Sequence, residues 1–462
     1  MAAGVTDSDV IVMGGGAAGL AAATTARRAG LGVVLVSDGD PGGDCTFTGC
    51  VPSKTLLHAA ARGMPFGEAL ARVRHTVARV AATENDDVLR QQGINVVRGR
   101  ARFVSARTVS VDDRRMTARQ IVVATGARPA VPPIPGLGRV PLLTTETVFD
   151  LAEAPGSLAI LGGGAVGCEL AQAFARLGVE VTLIETQPRV LPALDPEASA
   201  ALSEALTEDG IRLRTGTAAR AARMDGRQVL LDLDDGETVR ADRLLVATGR
   251  RPDTHDLALE SVGVRTDERG FVLVDRYMAT GVKGVSAAGD VTGLFPHTHG
   301  AYAMGRIAVT AGLRRTRRPA FDPSSIPMVV FTDPEVAVVG TAERDLSGTS
   351  ARVAYLPMTE VDRAITSADP CGFVKLLACP RRLLGTVGGG RVLGATIVAE
   401  RAGEMIHEPA LAMRTGMFTG RLAQAVHAYP TWSLAIQQTA AQFVGGHGGR
   451  TARPAGQRAR DR

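Results

Sequence analysis

Residues 10–36 read VIVMGGGAAGLAAATTARRAGLGVVLV, and residues 158–184 read LAILGGGAVGCELAQAFARLGVEVTLI. Both stretches share one plan: a short apolar run, a glycine cluster, an alanine-rich stretch and a β-branched run. This order predicts a strand, a tight turn, a helix and a second strand, which is the βαβ unit of a doubly wound sheet. The sequence therefore predicts an α/β protein with two doubly wound, Rossmann-type nucleotide-binding domains.

Each glycine cluster has the spacing GxGxxG. Glycines at these positions permit a tight turn, close approach of backbone amides to a pyrophosphate, and close packing of helix on strand. Because the motif twice follows a predicted strand and opens a predicted helix, we favour dinucleotide binding over two chance glycine-rich turns. The glycines are Gly14, Gly16 and Gly19 in the first copy and Gly162, Gly164 and Gly167 in the second.

The residue that ends the second strand of each unit is expected to contact the adenosine ribose. In the second copy this residue is Glu185, whose carboxylate can accept hydrogen bonds from both ribose hydroxyls and would repel a 2′-phosphate. We therefore favour NADH over NADPH, although Arg189 lies close enough in sequence to accommodate NADPH. The first copy has Ser37 at this place, followed by Asp38.

Length and composition bound the rest of the chain. The 462 residues correspond to about three domains, and 45% hydrophobic with 21% charged residues is typical of globular proteins. Residues 450–462 hold five Arg and one Asp, so the rest of the chain carries only 5 − 4 = +1 of the net charge of +5. This argues against a broad nucleic-acid-binding face. No apolar run is long enough to span a membrane, and nothing resembles a secretory signal, so we expect a cytoplasmic protein.

Two cysteines occur in GGDCTFTGCVPSK, residues 42–54. A disulfide needs Cα atoms within roughly 4.4–6.8 Å of each other. Five residues along a regular helix would place Cys45 and Cys50 on different faces, so we expect a distorted segment, with Gly49 and Pro52 as the cause. Such a pair could cycle between disulfide and dithiol. Two unrelated buried thiols are the alternative; a metal site would need further ligands, and none cluster with this pair in sequence.

Taken together, these motifs resemble the FAD-dependent pyridine-nucleotide disulfide oxidoreductases, which include dihydrolipoamide dehydrogenase, glutathione reductase and mercuric reductase. The resemblance extends to about Phe443 and implies an FAD-binding domain (1–145 and 274–318), an NAD(P)-binding domain (146–273) and an α+β dimerisation domain (319–444). Residues 445–462 are Gly- and Arg-rich and are predicted to be disordered. The motifs that carry the resemblance are the two glycine loops, the cysteine segment, ATGARP (124–129), ATGRRP (247–252), AAGDV (287–291) and TDPE (332–335).

The resemblance also implies roles for single residues. Cys50, nearer the flavin, would be the charge-transfer thiolate, and Cys45 the interchange thiol that attacks the acceptor. Lys54 would lie beside the flavin N5 and pair with Glu169. The first glycine loop would hold the FAD pyrophosphate and the second NADH or NADPH. The further residues that we assign to cofactor binding are Asp290 at the FAD ribityl chain, Thr125, Gly126, His299 and Gly249.

The chain departs from this family near its C-terminal end. Disulfide-reducing members have a His-Pro-Thr segment followed by Glu, given by the partner subunit, whereas Tyr429 and Leu434 stand at these places here. Because an ordinary Tyr titrates near 10, lipoamide or glutathione turnover is expected to be poor. His427 lies two residues earlier and could substitute in part, since alternate residues of an extended segment face the same way.

The sequence thus predicts a homodimeric flavoprotein that passes electrons from NAD(P)H through FAD and the cysteine pair to a small-molecule acceptor. Asp44 and the 361–364 stretch resemble mercuric reductase, although its vicinal cysteine pair does not occur in this sequence. Among candidate activities, we favour mercuric-reductase-like activity, or reduction of a small soft electrophile or disulfide. Dihydrolipoamide dehydrogenase activity is the second candidate, and quinone or oxygen reduction is the third. A flavoprotein sensor or assembly subunit without turnover is the alternative of another class. No resident metal is predicted, because a flavin-proximal role suits His297 and His299 better.

Overall fold

The computed structural model describes residues 6–313, 318–367, 370–381, 383 and 385–457. The strands are β1 (Thr6–Met13), β2 (Val33–Ser37), β3 (Ile94–Arg98), β4 (Ala101–Ser105), β5 (Thr108–Val111), β6 (Arg114–Val123), β7 (Ala127–Pro129), β8 (Leu142–Leu143), β9 (Ser157–Leu161), β10 (Glu180–Glu185), β11 (Arg212–Thr215), β12 (Ala219–Asp225), β13 (Gln228–Leu233), β14 (Thr238–Ala241), β15 (Arg243–Val246), β16 (Arg250–Pro252), β17 (Val285–Ala287), β18 (Met328–Val330), β19 (Glu335–Gly340), β20 (Arg352–Pro357), β21 (Phe373–Cys379), β22 (Arg391–Ala399) and β23 (Arg453–Pro454). The α-helices are α1 (Ala17–Arg28), α2 (Gly43–Phe47), α3 (Cys50–Ala60), α4 (Phe66–Ala81), α5 (Asp86–Gln91), α6 (Ala165–Arg176), α7 (Pro196–Glu208), α8 (Thr298–Leu313), α9 (Asp362–Thr366), α10 (Ala402–Met405), α11 (His407–Arg414), α12 (Thr419–Gln424) and α13 (Leu434–Ala441).

The chain divides into two compact units. The first comprises the chain up to Pro133 together with Leu142–Ala154 and Leu245–Asp322, and the second comprises Ile134–Pro141, Pro155–Leu244 and the chain from Pro323. The segment with the second glycine cluster therefore interrupts the first unit in sequence. The boundaries of the three domains stay a prediction, because the NAD(P)-binding and dimerisation segments fall into one unit here.

The first unit is built on a sheet with the strand order β3-β2-β1-β6-β5-β4, and β17 also pairs with β6. Strands β3, β2, β1, β6 and β17 pair in parallel with one another, whereas β5 pairs antiparallel with β6 and with β4. Helices α1 and α8 pack together where a Cβ on Gly305 would lie 2.1 Å from the carbonyl oxygen of Ala18, so this approach requires glycine. The all-apolar strand runs are buried, as is typical of parallel sheets.

The second unit contains three sheets. Strands β9, β10 and β11 are parallel and form the second βαβ unit with α6. Strands β12, β13 and β14 form an antiparallel sheet. A six-stranded sheet has the order β18-β19-β22-β21-β20-β23, and its apolar face packs on helices α10 to α13. This last sheet is the α+β domain that the sequence predicts.

The two ATG-containing motifs pair with each other. Strand β7 of the first motif and β16 of the second form a two-stranded antiparallel ribbon in which Arg128 faces Arg251. The hydroxyl of Thr125 donates to the carbonyl of Asp253 at 2.7 Å, and the N–H of Ala130 donates to the carbonyl of Gly249 at 2.9 Å. The repeated sequence therefore marks one local structure in the first unit.

The predicted disorder of residues 445–462 is wrong for the part that the structure describes, which ends at residue 457. Strand β23 pairs with β20, and the guanidinium of Arg453 contacts the carboxylate of Glu343 at 2.5 Å. Ala455 is buried in a small apolar cluster with Val353. The guanidinium of Arg450 also contacts the carboxylate of Glu360 at 2.5 Å, and composition gives no sign of these contacts; residues 458–462 lie outside the described residues.

Candidate active site

The first glycine loop connects β1 to α1. Gly14 has φ +114°, and a Cβ there would lie 2.2 Å from the carbonyl oxygen of Ala124. A Cβ on Gly19 would lie 1.9 Å from the carbonyl oxygen of Gly14. Gly16 precedes α1, whose first turn has neither a side-chain cap nor an acidic residue. The backbone N–H groups of this turn therefore suit an anion such as a pyrophosphate.

The second loop repeats this geometry. Gly162 has φ +109°, Gly164 precedes α6, and Gly167 lies buried inside that helix, whose first turn again has no cap and no acidic residue. Glu185 ends β10, and its carboxylate accepts the N–H of Gly163 at 2.6 Å. The structure therefore brings Glu185 to the edge of the glycine loop, as the ribose-binding prediction requires.

Ser37 and Asp38 occupy the corresponding place in the first unit. Ser37 is buried, and its hydroxyl donates to the carbonyl of Gly39 at 2.7 Å. Asp38 is half-exposed, with its carboxylate 3.9 Å from the guanidinium of Arg128. Of these two side chains, Asp38 is the better placed to accept from a ribose, and its contact stays a prediction.

The cysteine segment is broken between two helices, as its spacing predicts. Cys45 lies in α2, the chain leaves helical geometry at Thr48 and Gly49, and Cys50 begins α3. A Cβ on Gly49 would lie 2.8 Å from the carbonyl oxygen of Asp44, so the close turn requires glycine. Pro52 lies in the first turn of α3, where its missing N–H cannot bond to the carbonyl of Thr48, four residues earlier; its contribution to the break stays a prediction.

Cys45 and Cys50 are present as a dithiol and form a hydrogen bond with each other. This bond raises the pKa of Cys45, and burial, the charge of Cys50 and the carboxylate of Glu84 raise it further. The sulfur of Cys50 also lies 3.4 Å from the hydroxyl oxygen of Thr298 at the start of α8. Of the two thiols, Cys45 is thus the one whose surroundings favour the protonated form, and the interchange role of Cys45 and the thiolate role of Cys50 stay predictions.

A single cation links the cysteine helix to Asp290. The guanidinium of Arg250 contacts the carboxylate of Asp44, and its Nε lies 3.5 Å from Oδ2 of Asp290. Burial raises the pKa of Asp290, an effect that Arg250 opposes and that Asp44 and Cys50 reinforce. The charge of Cys50 therefore acts on Asp290, and contact of Asp290 with the flavin stays a prediction.

The histidines before α8 form an aromatic cluster. The rings of His297 and His299 stack with centroids 5.7 Å apart, and Phe295 contacts both. Burial lowers the pKa of His297 to about 4, and the charges of His299 and Lys54 contribute. His297 is therefore neutral at pH 7. Among the described residues no group of three or more His, Cys, Asp or Glu side chains could hold a metal ion.

Several predicted residues stay as predictions. Glu169 is buried, and its carboxylate accepts the N–H of Phe331 at 2.9 Å, while its pairing with Lys54 is untested. Thr125 holds the β7–β16 ribbon through its side-chain hydroxyl, and Gly126 and Gly249 hold it through their backbone carbonyls; the contact of these three residues with a cofactor stays a prediction.

Tyr429 and His427 differ sharply in their surroundings. Tyr429 is 71% exposed, and a hydrogen bond to Asp362 raises its pKa, which makes it a still weaker acid. The side chain of His427 is only 11% exposed. Its Nδ1 lies 3.1 Å from the carbonyl oxygen of Ala425 and its Nε2 3.1 Å from the carboxylate of Glu408. A His–Glu pair thus exists, but both ring nitrogens already face acceptors.

A cavity of about 260 Å³ reaches Cys45. Its walls come from α1, α2, the chain from Thr83 to Gln92 and the first turns of α8. Sequence reasoning missed the wall residues Glu84 and Thr298, because both become neighbours of the cysteines only through folding. The residues that line the cavity are Ala17, Leu20, Thr24, Gly42, Cys45, Thr46, Thr83, Glu84, Leu89, Gln92, Thr298 and Tyr302.

Two glycine loops that suit dinucleotides, together with a dithiol, define a nucleotide-dependent oxidoreductase. Comparison with known families agrees. Residues 8–305 match the pyridine nucleotide-disulphide oxidoreductase family, and residues 326–440 match the dimerisation domain of that family. The chain belongs to this family, whose members are FAD-dependent enzymes that use NAD(P)H, and the dimerisation domain supports a homodimer.

Individual relatives fall into two activities. A mercuric reductase from Streptomyces lividans is 36% identical over 95% of this chain and 97% of its own length. A mercuric reductase from Staphylococcus aureus is 34% identical over 95% of this chain and 82% of its own length. A dihydrolipoyl dehydrogenase from Thermus scotoductus is 36% identical over 94% of this chain and 96% of its own length.

Two solved structures share the fold. The Cu(II) complex of the HOCl-induced flavoprotein disulfide reductase RclA from Escherichia coli has a TM-score of 0.87 at 28% identity. LpdA from Mycobacterium tuberculosis has a TM-score of 0.86 at 31% identity. Each comparison covers 95% of this chain and 99% of the other. Within the described residues, every helix is too short or too polar to span a bilayer.

Proposed function

We propose that this enzyme uses NADH to reduce a small soft electrophile, in the manner of mercuric reductase, through FAD and the Cys45–Cys50 pair. The observation that carries the proposal is the position of the pair. Its two cysteines are separated by the break at Gly49, hydrogen-bonded to each other, and one of them lies at the wall of a cavity.

The glycine loops and their neighbours would hold the two nucleotides. The first loop with Asp290 would bind FAD, and the second loop with Glu185 would bind the nicotinamide cofactor. FAD held by these residues would supply two-electron chemistry, linking hydride donation by the nicotinamide to reduction of the Cys45–Cys50 disulfide. The carboxylate of Glu185 supports the preference for NADH, because it would repel a 2′-phosphate. The guanidinium of Arg189, which could otherwise accommodate that phosphate, already donates to the carbonyl of Pro192 at 3.1 Å.

The reduced pair would transfer both electrons to the acceptor. With a disulfide acceptor, the Cys45 sulfur loses its proton and attacks, a mixed disulfide forms and one thiolate leaves. The Cys50 thiolate then attacks the Cys45 sulfur, which closes the protein disulfide and releases the second thiolate. With Hg(II), the Cys45 thiol and the Cys50 thiolate are oxidised to the disulfide, the metal gains both electrons as Hg(0), and the Cys45 proton enters solvent.

The surroundings of Tyr429 support a metal ion over lipoamide. A leaving thiolate needs a proton, whereas a metal acceptor needs none. Tyr429 has a raised pKa, and both ring nitrogens of His427 already face acceptors within this chain, so neither side chain stands in the place of a catalytic His with a free nitrogen. Since the RclA structure is a Cu(II) complex, Cu(II) is a second candidate, with two Cu(II) reduced to Cu(I) per dithiol.

A homodimer would complete the site. Val426 is fully exposed, and Tyr429 and Leu411 are 71% and 60% exposed in this chain. These three residues lie within residues 326–440, which match the dimerisation domain, and large exposed side chains there are typical of a subunit interface. The Tyr429 segment of one subunit would then lie at the cavity of the other.

The test is anaerobic titration of the purified flavoprotein with NADH, followed by turnover with Hg(II), Cu(II) and lipoamide. We expect a long-wavelength thiolate-to-flavin band that Cys50→Ser abolishes, and acceptor reduction that Cys45→Ser abolishes. Cys371→Ser, at a half-buried cysteine outside the pair, serves as the matched control. If FAD is bound but NADH does not reduce it, the result favours a flavoprotein sensor over an enzyme. If the protein turns over lipoamide faster than both Hg(II) and Cu(II), the proposed preference for a metal acceptor is wrong.

A further inference from the structure

The cavity at Cys45 is lined by one negatively charged side chain and otherwise by neutral ones. Among the described residues that line it, Glu84 is the only one with a formal charge at neutral pH, and Thr24, Thr46, Gln92 and Tyr302 contribute neutral polar groups. No Lys or Arg is part of this lining. An acceptor that reaches Cys45 therefore meets one negative charge and no lining cation.

The carboxylate of Glu84 is fixed beside the reactive thiol. The buried hydroxyl of Thr46, the residue after Cys45, donates to Oε1 of Glu84. Gly42, with φ +121°, allows this approach, because a Cβ there would lie 2.4 Å from the same oxygen. The charge of Glu84 is felt at Cys45, whose pKa it helps to raise. The position of this carboxylate is thus set by the fold of α2 and not by solvent.

We propose that Glu84 is a specificity-determining residue that selects cationic and neutral acceptors over anionic ones at Cys45. The inference rests on the proposed function, in which Cys45 is the thiol that meets the acceptor. Its physical basis is Coulombic: a fixed charge in a partly water-excluded pocket attracts or repels a charged acceptor more strongly than it would in bulk water. An acceptor disulfide with carboxylates would be disfavoured, and a metal cation or an amine-bearing disulfide favoured.

Thiol alkylation tests the charge at Cys45 without turnover. In the Cys50→Ser flavoprotein, the rates of Cys45 modification by iodoacetamide and by iodoacetate are compared by peptide mass spectrometry. In each case the sulfur forms a C–S bond, iodide leaves and the thiol proton goes to solvent. The ratio of the two rates cancels changes in thiolate fraction. We expect Glu84→Gln to lower the preference for the neutral reagent by about fivefold to tenfold.

Two further variants separate charge from structure. Glu84→Asp keeps the charge and should retain most of the preference, whereas Gln keeps an acceptor oxygen for Thr46 but no charge. Glu68→Gln, an exposed change on α4, should leave the ratio unchanged. An unchanged ratio in Glu84→Gln would overturn the proposal.

Turnover with three disulfides of similar length then tests selectivity: cystamine (cationic), bis(2-hydroxyethyl) disulfide (neutral) and 3,3′-dithiodipropionate (anionic). We expect the ratio of kcat/KM for the cationic over the anionic disulfide to fall about tenfold in Glu84→Gln. If no acceptor turns over but the alkylation ratio still depends on Glu84, the proposed function fails while the charge at Cys45 stands. Equal turnover ratios in both proteins would contradict selection by Glu84.

Discussion

The guanidinium of Arg250 contacts the carboxylate of Asp44, the residue directly before Cys45. Arg250 lies in the second ATG motif, so this ion pair ties the β7–β16 ribbon to the cysteine helix. The same guanidinium lies 3.5 Å from Asp290. One cation thus compensates two carboxylates, of which Asp290 is the more buried and has the raised pKa.

We expect Arg250→Met to weaken FAD binding at least tenfold and Asp44→Asn to change it little. Without Arg250, the Asp290 carboxylate loses the cation that opposes its protonation, whereas Asp44→Asn leaves the Arg250–Asp290 pair in place. The measurement is the ratio of flavin to protein absorbance after dialysis, and then FAD titration of the apoprotein. Equal FAD retention by the two variants would contradict this role of Arg250.

Thr298→Val should raise the apparent pKa of the reduced cysteine pair by about one unit. A hydroxyl that donates to a thiolate favours the charged form, and Thr298 lies 3.4 Å from the Cys50 sulfur and lowers the pKa of Cys45. The measurement is the pH dependence of the thiolate-to-flavin band. Thr310→Val is the control. Thr310 lies on the same helix, where its hydroxyl donates to the backbone carbonyl of Arg306, so this change should not shift the pH dependence of the band.

Lys375→Met should lower the free energy of unfolding by about 3–5 kcal/mol. Lys375 is buried, and its Nζ lies 3.3, 2.9 and 3.0 Å from carboxylates of Asp195, Glu197 and Glu343. Loss of the ammonium leaves these charges without their shared partner. The urea midpoint of the FAD-loaded protein measures the effect, and the exposed Lys283→Met is the control.

The same lysine predicts a dependence on alkaline pH. Burial alone would lower its pKa, but the carboxylates outweigh burial and the pKa is raised above 10.5. The stabilisation is therefore complete below pH 10.5 and is lost as the pH rises through the folded pKa. The difference in free energy of unfolding between the native protein and Lys375→Met should therefore shrink only above pH 10.5. If this difference vanishes already at pH 8, the charge of Lys375 is not its source.

His297→Asn should reduce the loss of stability in mild acid. The folded pKa of about 4 lies below the ordinary value of 6.5, so the unfolded chain binds more protons between these values. The contribution of His297 is complete above pH 6.5 and declines as the pH falls toward 4. Melting temperatures measured from pH 7 to 4 should therefore fall less steeply in the variant, and an equally steep fall would exclude this origin.

The parts of the fold that local sequence could predict are those that local geometry requires. The glycine loops at Gly14 and Gly162 require positive φ and close backbone contacts, and the helix break at Gly49 follows from the spacing of the cysteines. These constraints act within a few residues and therefore leave a readable pattern. The family resemblance then extended the prediction to the third domain.

What the sequence could not predict depends on contacts between distant elements. Glu84 lies 38 residues from Thr46, and Glu408 lies 19 residues before His427. Nothing in the surrounding sequence distinguishes either glutamate from a solvated surface residue. The tail was mispredicted for the same reason, since it contacts distant parts of the chain: β23 pairs with β20, Arg450 contacts Glu360 and Arg453 contacts Glu343.

Strand β23 shields the outer edge of β20, which would otherwise offer open backbone donors and acceptors to another molecule. Removal of the chain from Arg450 onward would expose that edge and leave the Glu343 carboxylate without Arg453. A shortened version of the protein should consequently self-associate through added strands, even though its catalytic groups are intact.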